Sequence, residues 1–154
     1  MVVFLSHVNG EGIMFETIFE GRFNYVQDLI RMGADITEMN PREVLVRGFG
    51  SEDGQGGKGE DAKMLLALGK DEPLQAHDIR AGFAIVMAAL AAKGTSVIQN
   101  AYYIDRGYEK LEERLAALGI RTCSELGAYP AGLGDGGCVN LGGVPAVALR
   151  VSRQ

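Results

Sequence analysis

Residues 10–33 read GEGIMFETIFEGRFNYVQDLIRMG, and residues 94–119 read GTSVIQNAYYIDRGYEKLEERLAALG. When Gly10 is aligned with Gly94, an arginine follows 12 positions later in both stretches. In each stretch the glycine is followed by a run in which apolar and polar residues alternate, and the arginine then opens a helical pattern. The two stretches therefore predict an internal repeat with the order helix, strand, turn, helix, which is typical of an α/β domain built from duplicated modules.

Apolar spacing predicts the elements of each repeat. Strands are expected at residues 13–19, 35–37, 43–47, 97–103 and 120–122. Helices are expected over apolar residues spaced three and four apart, namely Phe23, Val26, Leu29 and Ile30 in the first repeat and Tyr108, Leu111, Leu115 and Leu118 in the second. Each helix should end at a left-handed glycine, Gly33 or Gly119. A longer buried helix is expected from Ile79 to Lys93, and residues 1–8 resemble only its end.

The chain is predicted to form one domain over residues 1–126, followed by a glycine-rich tail over residues 127–154. Within the domain, residues 48–74 are predicted to be a flexible inserted loop, because their Gly-rich, polar core cannot bury enough apolar surface to become ordered. The tail ends in a strand candidate at residues 144–151. Its GLGDGG run at residues 132–137 matches a dinucleotide-binding pattern, but no predicted strand precedes it, which favours a plain loop.

Composition and charge exclude several function classes. The net charge is −5 and the basic residues are scattered, so no electrostatic footprint for nucleic acid or an anionic membrane is present. The longest apolar stretch, residues 82–92, is shorter than the roughly 20 residues that cross a bilayer. Cys123, Cys138, His7 and His77 lack metal-ligand or disulfide spacing. We therefore expect a cytoplasmic protein without metal or cofactor, and without nucleic-acid or membrane partners.

Three short motifs place charged side chains where a loop or strand meets a helix. They are ETIFEGRF at residues 16–23, HDIRAG at residues 77–82 and IDRGYE at residues 104–109. Alone, the first is explained as an exposed turn that leads to Arg22 at a helix start, and Asp78 of the second as a helix N-cap. Neither explanation accounts for a cation in the first turn of a helix, where the dipole disfavours it. Arg80 and Arg106 are expected in such positions, which predicts a phosphate or carboxylate site.

The same motifs, in this order, resemble those in the C-terminal part of UDP-N-acetylglucosamine enolpyruvyl transferases. RMGADI and VLVRG match as well, and the resemblance covers residues 1–122 apart from the loop. It implies a fold of two domains made of βαβαββ units, the inside-out α/β barrel of the enolpyruvate transferases. It also implies transfer of the enolpyruvyl group of phosphoenolpyruvate to UDP-N-acetylglucosamine with release of phosphate, without a cofactor.

The resemblance implies a role for individual residues. Ile18 would lie against the nucleotide sugar, with Phe19 beside it and Arg22 in the same substrate-binding motif. Three residues are expected to act in catalysis, namely Asp78, Arg80 and Arg106. The two arginines would reach phosphoenolpyruvate as the domains close, with the aspartate near the reacting centre, and would stabilise the carboxylate, the departing phosphate and the tetrahedral intermediate.

Other groups of the family's site precede the matched region, namely a Lys-Asn pair, a loop cysteine, another phosphate-binding arginine and an aspartate base. The resemblance therefore implies a truncated portion that is inactive alone. The expected partners are UDP-N-acetylglucosamine, phosphoenolpyruvate, and either the missing N-terminal portion or a second copy of the chain. Two alternatives stay open: a 5-enolpyruvylshikimate-3-phosphate synthase-like protein, and a non-catalytic α/β binding or assembly module.

Overall fold

The computed structural model describes residues 1–48, 65–66, 68, 71–92 and 94–124, and the backbone of residues 146–150. The helices are α1 (Val2–Leu5), α2 (Val26–Arg31), α3 (Ile79–Ala91), α4 (Tyr102–Asp105) and α5 (Leu111–Ala117). The strands are β1 (Glu11–Phe15), β2 (Asp35–Asn40), β3 (Glu43–Arg47), β4 (Leu74–Gln75), β5 (Thr95–Gln99), β6 (Arg121–Ser124) and β7 (Ala146–Arg150). Helices and strands are mixed along the chain, which confirms the predicted α/β class.

The first sheet has the strand order β1-β3-β2, and both of its pairings are antiparallel. The central strand β3 covers residues 43–47, as predicted, and buries alternate side chains, Val44 and Val46. A strand exposes successive side chains on opposite faces, so the other face of this sheet is turned to solvent and carries Ile13 and Phe15 of β1. The turn between β2 and β3, at residues 40–42, lies at the end of the sheet where β1 also ends.

The second sheet has the order β4-β5-β7-β6, and its strands run parallel. Leu74 of β4 lies opposite Ile98 of β5, and both side chains are fully buried. The strand expected at residues 144–151 is observed as β7, which pairs with β5 on one side and β6 on the other. The second sheet packs against α3, and the first sheet packs against α1 and α2. Ile85 and Val86 of α3 are fully buried in a core that also contains Val44 and Val46 of β3.

The predicted flexible loop over residues 48–74 lies largely outside the described residues. Its described part is packed into the molecule. Leu65 is fully buried in the core, and the backbone N–H of Leu66 donates to the Met32 carbonyl oxygen at 2.8 Å. The Leu68 carbonyl oxygen accepts from the N–H of Val97 at the same distance. These contacts join the described part of the segment to the end of α2 and to β5.

Helix ends follow the predicted glycines. The residue after α2 is Met32, and Gly33 next to it has a φ of +96°. After α5, Gly119 has a φ of +81° and its N–H donates to the Ala116 carbonyl oxygen. Because L-residues other than glycine rarely adopt this left-handed conformation, both positions confirm the predicted helix ends.

Two predicted strands end earlier than expected, and the reason is local. The first strand stops at Phe15, because the carboxylate of Glu16 accepts hydrogen bonds from the backbone N–H groups of Ile18 and Phe19 and closes a turn. The second stops at Gln99, where Asn100 turns the chain with a φ of +60°. An apolar run continues through both turns, which is why periodicity predicted longer strands.

The prediction that Arg22 and Arg106 open helices is wrong. Val26, where α2 begins, comes four positions after Arg22, and Arg106 follows α4 as its C-terminal cap residue. The helix dipole therefore favours the positive charge of Arg106, contrary to the expectation. Only Arg80, the second residue of α3, lies in a first turn as predicted.

Candidate active-site cleft

A cleft of about 620 Å³ opens between α1, β1 and α3. One end is apolar and is lined by Phe4, Met87 and Ala91. The other end is polar, and its lining residues are Glu16, Arg22, Tyr25, Asp78 and Arg80. Such a combination of an apolar wall with a few convergent polar groups is typical of small-molecule sites.

Asp78 positions the polar end of the cleft by capping the N-terminus of α3. Its Oδ1 accepts hydrogen bonds from the backbone N–H groups of Arg80 and Ala81, each at 2.8 Å, which confirms the predicted N-cap. The extended backbone of Asp78, with φ −153° and ψ 176°, is the usual conformation of a capping residue. The cap fixes the first turn of α3, and that turn carries Arg80 into the cleft wall.

A short loop from Glu16 to Gly21, here called the 16–21 loop, borders the same end of the cleft. Glu16 Oε1 accepts from the N–H of Ile18 at 2.9 Å and from that of Phe19 at 3.3 Å. The side chains of Ile18 and Phe19 are 67% and 55% exposed, so the loop presents apolar surface to solvent. The Arg22 guanidinium carbon lies 4.5 Å from the centre of the Phe19 ring, a cation–π contact that links this loop to the cleft.

Charges at the polar end influence two titrations. The backbone hydrogen bond from Ile18 lowers the pKa of Glu16, and the hydrogen bond from Phe19 and the charges of Arg22 and Arg80 act in the same direction. Burial raises the pKa of Tyr25 to about 12, and the carboxylates of Asp78 and Glu16 add to this effect. At neutral pH the Tyr25 phenol therefore keeps its proton and can donate it in a hydrogen bond.

The polar end therefore holds two arginines and two carboxylate side chains. An anionic ligand does not meet a purely positive surface there. The charges of Arg22 and Arg80 also act on the carboxylate of Glu16, so an anion bound there would lie near both positive and negative side chains.

The residues predicted from sequence fall into three places. Arg22, Asp78 and Arg80 line the cleft. Ile18 and Phe19 lie on the adjoining 16–21 loop and are exposed. Arg106 is outside the lining of this cleft, at the end of α4, where its charge acts on the phenol of Tyr102. Arg106 is thus the predicted charged residue that does not line the cleft with the others.

Sequence reasoning missed two aromatic residues of the cleft, Tyr25 and Phe83. Tyr25 follows Arg22 by three positions, so helical spacing alone could have placed both on one side of the chain. Phe83 stacks on Tyr108 with ring centroids 4.1 Å apart, a contact between α3 and the segment before α5 that only the tertiary fold creates. Nothing local in the sequence marks Phe83 as a cleft residue.

Glycines bring the second and third motifs together. A Cβ at Gly82 of α3 would lie 2.7 Å from Cγ1 of Ile104, and a Cβ at Gly107 would overlap Cγ2 of Ile79. Real Cβ atoms do not approach this closely, so α4 can rest on the first turns of α3 only because both positions lack a side chain. This packing sets the position of Arg106 relative to Arg80.

Within the described residues, His, Cys, Asp and Glu side chains do not form a group of three or more that could hold a metal ion. None of the helices in the described ranges combines the length and the apolarity that crossing a lipid bilayer requires.

Comparison with known proteins gives a consistent result. A UDP-N-acetylglucosamine 1-carboxyvinyltransferase of Nitratidesulfovibrio vulgaris is 37% identical over 121 residues, which cover 79% of this chain and 25% of that protein. The enzyme of the same name from Anaeromyxobacter sp. strain K is 39% identical over 121 residues, covering 79% of this chain and 24% of the relative.

A third relative, UDP-N-acetylglucosamine 1-carboxyvinyltransferase 2 of Caldanaerobacter subterraneus, is 41% identical over 119 residues, covering 77% of this chain and 24% of that protein. The chain thus spans about a quarter of the length of the curated relatives it matches. A family model described as EPSP synthase (3-phosphoshikimate 1-carboxyvinyltransferase) matches residues 2–115. The resemblance seen in the motifs is confirmed, and the chain belongs to the EPSP synthase (3-phosphoshikimate 1-carboxyvinyltransferase) family.

Proposed function

We propose that the chain forms the C-terminal part of a UDP-N-acetylglucosamine 1-carboxyvinyltransferase, which transfers enolpyruvyl from phosphoenolpyruvate to UDP-N-acetylglucosamine during peptidoglycan precursor synthesis. One observation carries this proposal. Arg22 and the pair Asp78 and Arg80 come from separate motifs and line the polar end of one cleft. Relatives whose names give this activity are 37–41% identical over the same region.

Ile18 and Phe19 are proposed to contact the nucleotide sugar. Their side chains are exposed on a loop whose backbone is already fixed by the Glu16 carboxylate. A prearranged apolar surface binds a uridine ring or a sugar face without a large ordering cost. Arg22 lies against Phe19, so it can meet the charged part of the same ligand.

Asp78, Arg80 and Arg106 are proposed to act on the phosphoenolpyruvate side. Arg80 points its positive charge into the cleft from the first turn of α3, where an anion can offset the unfavourable helix dipole. Arg106 belongs to the segment that Gly82 and Gly107 hold against that turn, and it would complete the site on domain closure. These residues would stabilise developing negative charge, while proton transfer would need groups from outside the matched region.

The fuller architecture is also part of the proposal. Residues 1–126 would form part of a domain made of repeated βαβαββ units in the inside-out barrel fold, and residues 127–154 a Gly-rich tail with a terminal strand. The protein would work in the cytoplasm without a cofactor. Its protein partner would be the remaining portion of the enzyme, supplied in the same chain or as a separate one.

A complementation assay tests the activity. The 154-residue chain is mixed with the N-terminal three-quarters of the Anaeromyxobacter relative, and phosphate release from phosphoenolpyruvate is measured with UDP-N-acetylglucosamine as acceptor. We expect turnover only in the mixture, and a loss of roughly 10²–10³-fold in Arg80→Ala, the usual cost of removing a transition-state electrostatic group. Arg47→Ala is the control, because it also removes an arginine, but one that makes its ion pairs on the first sheet and does not line the cleft. Full activity of the chain alone would contradict the proposal that proton transfer needs groups from outside this chain.

Two other functions are separated by the same assay. The name of the matching family includes 3-phosphoshikimate, so this acceptor is offered in parallel; a preference for it would favour the synthase-like alternative. A non-catalytic assembly module is the third candidate. That module would form a stable oligomer by light scattering and would respond to neither acceptor.

A further inference from the structure

The 16–21 loop is attached to the turn between β2 and β3. The N–H of Glu16 donates to the Arg42 carbonyl oxygen at 2.8 Å, and the N–H of Gly21 approaches the Pro41 carbonyl oxygen at 3.4 Å. Both ends of the loop are therefore held by two consecutive residues of one neighbouring turn. The loop starts where the ladder between β1 and β3 stops, at the pair of Phe15 and Glu43.

The guanidinium group of Arg42 spans the interior of the loop. Its Nε and Nη2 atoms donate to Glu20 Oε1 at 3.2 and 3.1 Å. Its Nη1 atom faces the carbonyl oxygens of Glu16 and Thr17 at 3.5 and 3.4 Å. Arg42 thus contacts both sides of the segment that carries Ile18 and Phe19. A planar group with several fixed donors is suited to this task, and a lysine ammonium is not.

We propose that Arg42 is a positioning residue, which fixes the 16–21 loop and thereby sets how Ile18 and Phe19 meet the nucleotide sugar. The ligand part rests on the proposed function. Arg42 itself is not assigned a contact with substrate, since it lies outside the lining of the cleft. It acts through the loop and through Phe19, whose ring holds the Arg22 guanidinium at 4.5 Å.

The ion pair between Arg42 and Glu20 contributes little stability, so the effect of Arg42 should be confined to the 16–21 loop. The side chains of Arg42 and Glu20 are 34% and 71% exposed, and exposed ion pairs contribute little to the stability of a whole fold. The loop, however, buries little apolar surface, because Ile18 and Phe19 both face solvent. Polar contacts are therefore its main restraint, and their loss should loosen the loop while the core stays intact.

The test uses the full 154-residue chain and compares Arg42→Ala and Arg42→Lys with Arg47→Ala. Arg47 is a matched control at the opposite end of β3, where it makes ion pairs with Glu11 and Asp35 at 3.0 and 3.3 Å. Amide hydrogen exchange of Ile18 and Phe19 is measured by NMR, together with the melting temperature. We expect exchange to become about tenfold faster in Arg42→Ala, which corresponds to about 1.4 kcal/mol, the typical net value of a hydrogen bond to a charged group.

Arg42→Lys should fall between wild type and Arg42→Ala, because it keeps the charge and loses the fork of donors. Arg47→Ala should leave both amides unchanged. Unchanged exchange in Arg42→Ala, or equal acceleration in the Arg47 control, would overturn the positioning role. Melting temperatures separate local loosening from general unfolding, and the milder lysine variant covers the case in which the alanine variant does not fold.

A titration with UDP-N-acetylglucosamine then tests the link to the ligand. In wild type the amide signals of Ile18 and Phe19 should shift, and Arg42→Ala should weaken binding by a similar factor of about ten. Equal binding in both proteins would refute the role in presentation even if the loop loosens. If wild type shows no response while exchange still changes selectively, the loop assignment holds and the proposed nucleotide-sugar contact is the part that fails.

Discussion

The segment from α1 to β3 and the segment from β4 to β6 share turn positions but not the way in which strand connects to helix. Gly10 and Gly94 precede the strands with φ values of +108° and +122°, and Gly33 and Gly119 follow the helices in similar left-handed conformations. Between these positions the first segment forms the 16–21 loop, whereas the second forms α4. Among the proposed site residues, Ile18 and Phe19 lie in the first connection and Arg106 directly follows α4 in the second. The two segments therefore differ in backbone structure where these residues lie.

The two connections are also held by different forces. The first is held by exposed hydrogen bonds and an ion pair from Arg42 and Glu16. The second is held by close packing, because Gly82 and Gly107 allow Ile104 and Ile79 to approach α3 and α4. Polar surface contacts contribute little to global stability, whereas steric overlap in a packed interface costs more. Substitutions in the second connection should therefore have the larger thermodynamic effect.

The largest effect is expected from Gly107→Ala. The added methyl group overlaps Cγ2 of Ile79, so the free energy of unfolding should fall by about 1–3 kcal/mol, the usual cost of overpacking. Urea denaturation followed by circular dichroism measures it. The double variant Gly107→Ala with Ile79→Ala removes the overlapping atom. In a double-mutant cycle it should therefore lose less unfolding free energy than the sum of the two single variants. Additive losses in that cycle would show that the packing contact does not restrict this position.

An intermediate effect is expected from Asp78→Ala. Loss of the two hydrogen bonds to the N–H groups of Arg80 and Ala81 should destabilise the chain by about 1 kcal/mol. Asp78→Asn is the control, because an asparagine oxygen caps a helix nearly as well. Thermal unfolding compares the two variants. Equal melting temperatures for wild type and Asp78→Ala would show that α3 does not depend on its cap.

The smallest effect is expected from protonation of Glu16. Hydrogen bonds from Ile18 and Phe19 lower its pKa, so the stabilisation of the 16–21 loop is present above the ordinary glutamate pKa. It is lost as the pH falls through the lower pKa of the folded state. The amide signals of Ile18 and Phe19 should move with this single titration. In Glu16→Gln the movement should disappear, and its persistence would assign the titration to another group.

Local rules predicted a good part of the fold. Asp78 before the apolar run of α3 gave a correct N-cap, Gly33 and Gly119 gave correct helix ends, and residues 43–47 gave β3. Each of these depends on a few neighbouring residues and on backbone chemistry that the sequence displays directly. The α/β class followed from the same signals.

Longer-range features were beyond the sequence. The apolar run through Ile18 and Phe19 looks like a strand, and only the hydrogen bonds of Glu16 and Arg42 reveal it as a loop. The position of Arg106 depends on how Gly107 packs on Ile79, a contact between residues far apart in the chain. Contacts outside the local sequence pattern decided both features.

One oxygen atom of Asp78 accepts both backbone hydrogen bonds at the start of α3, and the same residue forms part of the cleft wall. One residue therefore both caps a 13-residue helix and lines the cleft. A substitution at Asp78 changes the helix cap and the cleft wall at the same time, whereas Ile18 and Phe19 are exposed on the 16–21 loop and can be changed without touching either.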